Sequence, residues 1–168
     1  MDVAALLLEL YGRIPPLARE AVEGVDPPHL VEPPRADANT IAWLIWHSAR
    51  VQDHHISELL ESEQIWAGGD WARRFGLEPD PSNTGYAHEP EDVAAVRPDG
   101  PDVLLAYLAA VDSRSRSLLE RLTPADLDQV VDRRWNPPVT MGVRLVSIAD
   151  DCLQHVGQAA YVRGLLGY

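Results

Sequence analysis

Apolar residues recurring at spacings of three and four mark the face of a helix that packs inward, and four segments of the chain carry that pattern. The first reads Val3, Leu7, Leu10, Ile14, Leu17, Ala21. Pro15 and Pro16 fall inside it, where each removes a hydrogen-bond donor and crowds the preceding turn. The apolar phase runs on through them, which predicts one kinked helix, with two short helices as the alternative. The second helix starts at Asn39 or Thr40, either of which can cap it, and continues through IAWLIWHSARVQDHHISELLES. The third follows Gly100 and Pro101, with inward positions Leu104, Leu108, Val111, Ser115, Leu118 and Leu122. The fourth begins after Thr140 and reads Leu145, Ile148, Cys152, His155, Ala159, Val162, Leu166, closed by Gly167 as a C-cap.

Proline- and glycine-rich stretches separate these helices. Residues 25–37 form a short connection. Residues 64–100 are too many for a bare hairpin and contain one amphipathic turn at Asp70 to Phe75 and another around Glu91 to Val96. QVVDRRWNPPV, residues 129–139, reads as a short extended arm. No internal repeat or linker appears. The expected fold is all-α, a four-helix bundle with a long crossover between helices two and three, as a single domain over residues 1–168.

Charge and cysteine usage narrow the function classes. A formal net charge of −12 repels phosphates and so disfavours nucleic acid and anionic membranes. No stretch approaches the ~20 apolar residues of a membrane span, and the N-terminus lacks the basic start and cleavage site of a secretory signal. The single cysteine, Cys152, suits a reducing cytoplasm.

Two histidines occupy inward positions that leucine would otherwise fill. His47 lies between Leu44 and Val51 on the second helix, and His155 lies between Cys152 and Ala159 on the fourth. Asp151, at i−4 from His155, shares its face. An ionisable group inside a bundle is costly unless it is paired or ligates a metal. Two imidazoles and a carboxylate make the ligand set of an open, catalytic metal site, and bundle cores commonly house such sites. By residue pattern alone, hydrogen-bonded core histidines remain the competing reading.

WLIWH in the second helix, the crossover segments WARRFGL and GYAHEPEDVAAVR, and DDCLQHVGQAAYVRGLLG at the end together resemble the DinB-like superfamily of metal-binding bundles. The similarity is to its branch of thiol-dependent transferases, which includes mycothiol-dependent maleylpyruvate isomerase. The resemblance implies His47, Asp151 and His155 as ligands of one divalent ion, zinc or nickel. It further implies a small thiol such as mycothiol as co-substrate, and a homodimer. Asp151 departs from the pattern, where glutamate or histidine is commoner. The fused isomerases carry a second domain that this chain lacks, so their reaction does not transfer.

Other residues carry weaker signals. His54 and Glu58 are an i, i+4 pair two turns from His47, read as a solvated or salt-bridged pair, with a second ion site or a lining of the pocket mouth as alternatives. His55 reads as rim, and His29 and His88 lie in loops without partners at ligand spacing. Cys152 reads as a small core side chain, since neighbouring Asp150 and Asp151 oppose a thiolate. Trp43, Arg50 and Gln158 are pocket candidates one turn from the ligands. Arg50 would bind a carboxylate or else form a surface ion pair. Trp46, Trp66, Trp71 and Trp135 read as packing anchors. No serine elbow, phosphate loop or HExxH motif is present. The expectation is a metal-dependent thiol S-transferase acting on a small electrophile, with a metal-dependent hydrolase and a non-catalytic metal-binding module as rivals.

Overall fold

Asp2 accepts a hydrogen bond from Ala5 N at 2.8 Å and so caps α1, Val3–Tyr11. The computed structural model describes residues 1–168. Its next helix, α2, spans Ile14–Val22, with Pro15 and Pro16 in its first turn. The single kinked helix expected here is therefore two helices. Proline is tolerated at a helix start, where the missing donor has no partner to lose, and the chain breaks just upstream, at Gly12 and Arg13. The break also shifts the apolar stripe. Tyr11 and Ala18 are buried where Leu10 and Leu17 were expected, and Leu17 is 40% exposed. Buried Tyr11 donates its hydroxyl to Leu145 O at 2.8 Å, tying the first helices to the last.

After the single turn α3, Pro27–Leu30, comes α4, Ile41–Leu59. Thr40 is its cap, accepting from Trp43 N at 3.0 Å. Every residue from Ile41 to Arg50 is buried. A helix apolar on all sides must be enclosed on all sides, and α4 packs on α7, Pro101–Leu119, and α8, Met141–Leu165, while the crossover covers its remaining face. That crossover contains a 3₁₀ turn at Ile65–Ala67 and the short helices α5, Trp71–Arg74, and α6, Pro90–Ala95, near the two turns expected. The inward positions of α7 from Leu104 to Leu118 are buried as the spacing requires.

The extended arm is a small hairpin, β1, Val130–Asp132, against β2, Val139–Thr140, antiparallel. Asp132 anchors it by accepting from Arg134 Nη2 at 2.8 Å and Arg144 Nη2 at 3.0 Å. Trp135, expected as an anchor, is 66% exposed on the hairpin tip, whereas Trp46 and Trp66 are fully buried. No helix is long and apolar enough to cross a membrane.

Arg50 and Asp53 fasten the crossover to the bundle. Both are wholly buried. Asp53 accepts from Arg50 Nη1, Tyr107 Oη, Ser57 Oγ, and the backbone N–H groups of Ile65 and Trp66, at 2.8–3.4 Å. Arg50 donates to Asn83 O, Asp53 Oδ2, Tyr107 Oη, Gln64 Oε1 and Pro81 O, which uses all five of its N–H groups. Its guanidinium lies 4.9 Å over the Trp66 ring. A buried pair is strongly destabilising only when one partner is removed, because the other is left charged and unpaired. Asp53→Ala is therefore expected to lower unfolding free energy by about 3–5 kcal/mol in urea titration. Removing the exposed Arg13–Glu9 pair should leave the midpoint in place.

Candidate metal centre

The packing of α4 on α8 brings His47 against Asp151 and His155. His47 Nε2 lies 4.0 Å from Asp151 Oδ2, and His155 Nε2 lies 3.5 Å from Asp151 Oδ1. One ligand atom from each residue falls within 4.8 Å of the other two. The rings of His47 and His155 meet edge to face at 4.8 Å.

What lies behind each ring decides which nitrogen is free. His47 Nδ1 faces the carbonyl oxygen of Thr84 at 2.5 Å, so it must carry the hydrogen and donate. His155 Nδ1 donates to Gln158 Oε1 at 2.7 Å. When neutral, both rings therefore turn an Nε2 lone pair toward Asp151, the arrangement by which outer partners orient metal-binding imidazoles. Burial holds the His47 pKa below the ordinary imidazole range, which favours this neutral form. Burial also acts to lower that of His155, but the neighbouring Asp151 and Gln158 favour its protonated form and raise it overall, so a cation at the site would compete with that proton.

Asp151 Oδ2 is buried and has no hydrogen-bond partner. A buried carboxylate oxygen without a partner, beside two imidazoles, is a group that a bound cation would satisfy. The donor set is likewise that of a divalent transition ion.

Several pocket candidates have other duties. Trp43 lies flat on the His47 ring, 4.6 Å between centroids and 10° from parallel, and so fixes its plane. Its Nε1 donates to His88 Nδ1 at 3.0 Å, and His88 Nε2 reaches Asn83 Oδ1 at 3.0 Å. His88, expected to be partnerless, thus joins α4 to the crossover. Arg50 is neither a free pocket cation nor part of a surface ion pair, since every donor is spent inside the clamp. Gln158 supports His155 from behind. Cys152 is fully buried, gives its thiol hydrogen to Ser48 O at 3.4 Å, and is pushed well above the usual thiol pKa by burial. His29 pairs with Tyr168 at 2.6 Å.

His155 does not occupy the central stripe of α8, as the spacing suggested. Val156 does, four residues after Cys152. His155 sits at the stripe's edge with its side chain 18% exposed beside Asp151 at 34%. This displacement keeps the group reachable. A cavity of about 510 Å³ opens there, lined by His47, Asp151, His54, His55, Thr84 and Tyr86 among others.

Sequence reasoning missed Thr84 and Gly85. Thr84 acts through its backbone, which no side-chain pattern reveals. Gly85 has a φ of +92°, and a Cβ there would lie 2.7 Å from His47 Nδ1 and 2.9 Å from Trp46. Only glycine allows the crossover to approach this closely.

Comparison with known proteins gives the chain's family and fold. The family model for mycothiol S-transferase matches residues 17–167. A solved structure described as a conserved protein from Enterococcus faecalis shares 34% identity with a TM-score of 0.90, covering 98% of this chain and 97% of that one. No curated protein matches the chain significantly.

Two substitutions test the supports behind the rings. Gln158→Leu is expected to weaken zinc affinity by about 10–100-fold in chelator competition, the usual cost of losing an outer partner. Gly85→Ala should weaken zinc binding too, by pushing the Thr84 carbonyl off His47, and should also lower thermal stability.

Proposed function

Because the chain belongs to the mycothiol S-transferase family, we propose that it is a metal-dependent enzyme that joins the sulfur of a mycothiol-type thiol to a small electrophile. The observation that carries this reading is the orphaned Asp151 oxygen facing two imidazoles whose other nitrogens are already spent. His47, Asp151 and His155 would hold one divalent transition ion, and the resemblance to the family points to zinc or nickel. The chemistry that ion supplies is acidification of a thiol, so that a thiolate is available near neutral pH.

The chain's own residues do the rest. Thr84 and Gln158 hold the imidazole tautomers, and Trp43 holds the plane of His47. Asp151 contributes one negative charge, which tempers the ion. The open side of the group faces the cavity, so a thiol and an electrophile can meet there. In the reaction the thiol gives its proton up to solvent, an S–C bond forms, and the electrophile's leaving group departs with its electron pair. No protein nucleophile is required, in keeping with the buried Cys152.

Metal analysis of untagged protein should find about one ion per chain, and His155→Ala should lose it while retaining helical circular dichroism. Full metal content in that variant would refute the ligand assignment. Metal-loaded protein should turn over electrophiles from a panel only when mycothiol is present. Turnover without thiol would point instead to a hydrolase using activated water, and no turnover at all to a non-catalytic metal protein.

A further inference from the structure

Seven residues beyond His47 on α4, roughly 10 Å along the axis, His54, His55 and Glu58 form another group of two imidazoles and a carboxylate. Its composition repeats that of the metal group, yet the partners behind its rings are of the opposite kind. Arg50 Nη2 donates to Gln64 Oε1 at 2.9 Å, which fixes the orientation of that amide. Its NH₂ therefore donates to Pro81 O at 3.1 Å and to His54 Nδ1 at 3.0 Å. His54 Nδ1 is thus an acceptor, and the ring's hydrogen sits on Nε2.

His55 is set the same way. Arg144 Nη1 can only donate, and it faces His55 Nε2 at 3.4 Å. The hydrogen of His55 is accordingly on Nδ1, 3.0 Å from Glu58 Oε2. Burial depresses the His55 pKa and keeps the ring neutral. Both nitrogens turned toward Glu58 carry hydrogens, whereas both turned toward Asp151 carry lone pairs. A cation suits the second arrangement and not the first.

The first arrangement suits something else. His54 Nε2 and Glu58 Oε1 stand 3.7 Å apart, beyond hydrogen-bond length, with the side chains 29% and 45% exposed. An unspent N–H beside a carboxylate oxygen, open to solvent, can bind one group that both accepts and donates: a water, or a ligand hydroxyl that displaces it. The cavity that His54 shares with His47 and Asp151 is otherwise mostly polar, with Ser82, Asn83 and Tyr86 on its wall, and Glu58 stands beside His54 outside that wall. It offers no free cation, because Arg50 is fully spent and Arg144 is bound to Asp132 and His55. An uncharged polyol fits such a wall better than an anion does.

We propose that His54 and Glu58 recognise a hydroxyl on the uncharged sugar portion of the thiol co-substrate, and that this group is not a second metal site. The proposal rests on the S-transferase reading. Mycothiol is a cysteine amide-linked to a pseudo-disaccharide. Five bonds, roughly 6 Å when extended, separate such a sulfur from the first ring carbon. With the sulfur beside His47 and Asp151, the hydroxyls of that ring come within reach of His54.

The test compares mycothiol with N-acetylcysteine methylamide, which has the same cysteinyl end and no polyol. Wild-type protein should prefer mycothiol by at least about tenfold in kcat/KM, the worth of one or two well-placed hydrogen bonds. His54→Leu, and independently Glu58→Ala, should collapse that preference through KM. Calorimetric titration with S-methyl mycothiol, which has no free thiol, should show about tenfold weaker binding to either variant. Zinc should saturate at about one equivalent in wild type and variants alike. Retention of the preference in both variants, equal loss on both thiols, or a second zinc equivalent abolished by His54→Leu would each overturn the proposal. Should neither thiol turn over with wild-type protein, the S-transferase reading falls. The calorimetric comparison then still decides the hydroxyl site by itself.

Discussion

A buried ion pair, Arg50 with Asp53, fastens the crossover to α4, and the candidate site depends on where that crossover lies. Arg50 grips Pro81 O and Asn83 O, and the next residue, Thr84, places its carbonyl on His47. The same guanidinium orients Gln64, which in turn orients His54. One cation that touches neither cavity ligand nor solvent therefore sets the tautomers of two histidines on one helix. A charge this deep is costly to bury. Here it is offset by complete hydrogen bonding on both partners and by the packing of Trp66 and Tyr107 around them.

This division of labour explains why equivalent residue types do different work along α4 and α8. Composition assigns two imidazoles and a carboxylate to each group. What each group is set up to bind depends on the acceptor or donor at each ring's far side. Carbonyl oxygens behind His47 and His155 leave lone pairs forward; an amide NH₂ and a guanidinium behind His54 and His55 leave hydrogens forward.

The parts of this fold that could be read from the chain are those governed by local periodicity and caps. Thr40 and Thr140 start their helices as threonine caps do, and the stripe on α7 matches its spacing residue for residue through Leu118. The candidate ligand residues stood out because polar groups interrupted apolar stripes. Failures came where tertiary contacts override local pattern. Leu17 turned outward because the chain breaks before the prolines, and His155 moved to an edge because Val156 fills the core better. Arg50 was misread as accessible, although ten successive buried residues from Ile41 leave α4 no solvent face there. The crossover's contribution was illegible for a simpler reason: it acts through backbone oxygens at Pro81, Asn83 and Thr84.

That last feature bears on how such a protein tolerates drift. The oxygen that orients His47 belongs to the peptide chain, and every amino acid at position 84 would supply it. The following position allows no such freedom, since only a residue without a side chain clears the imidazole and both indoles. The evolutionary trace of this contact therefore lies one residue away from the atom that makes it, in a glycine that touches nothing chemically.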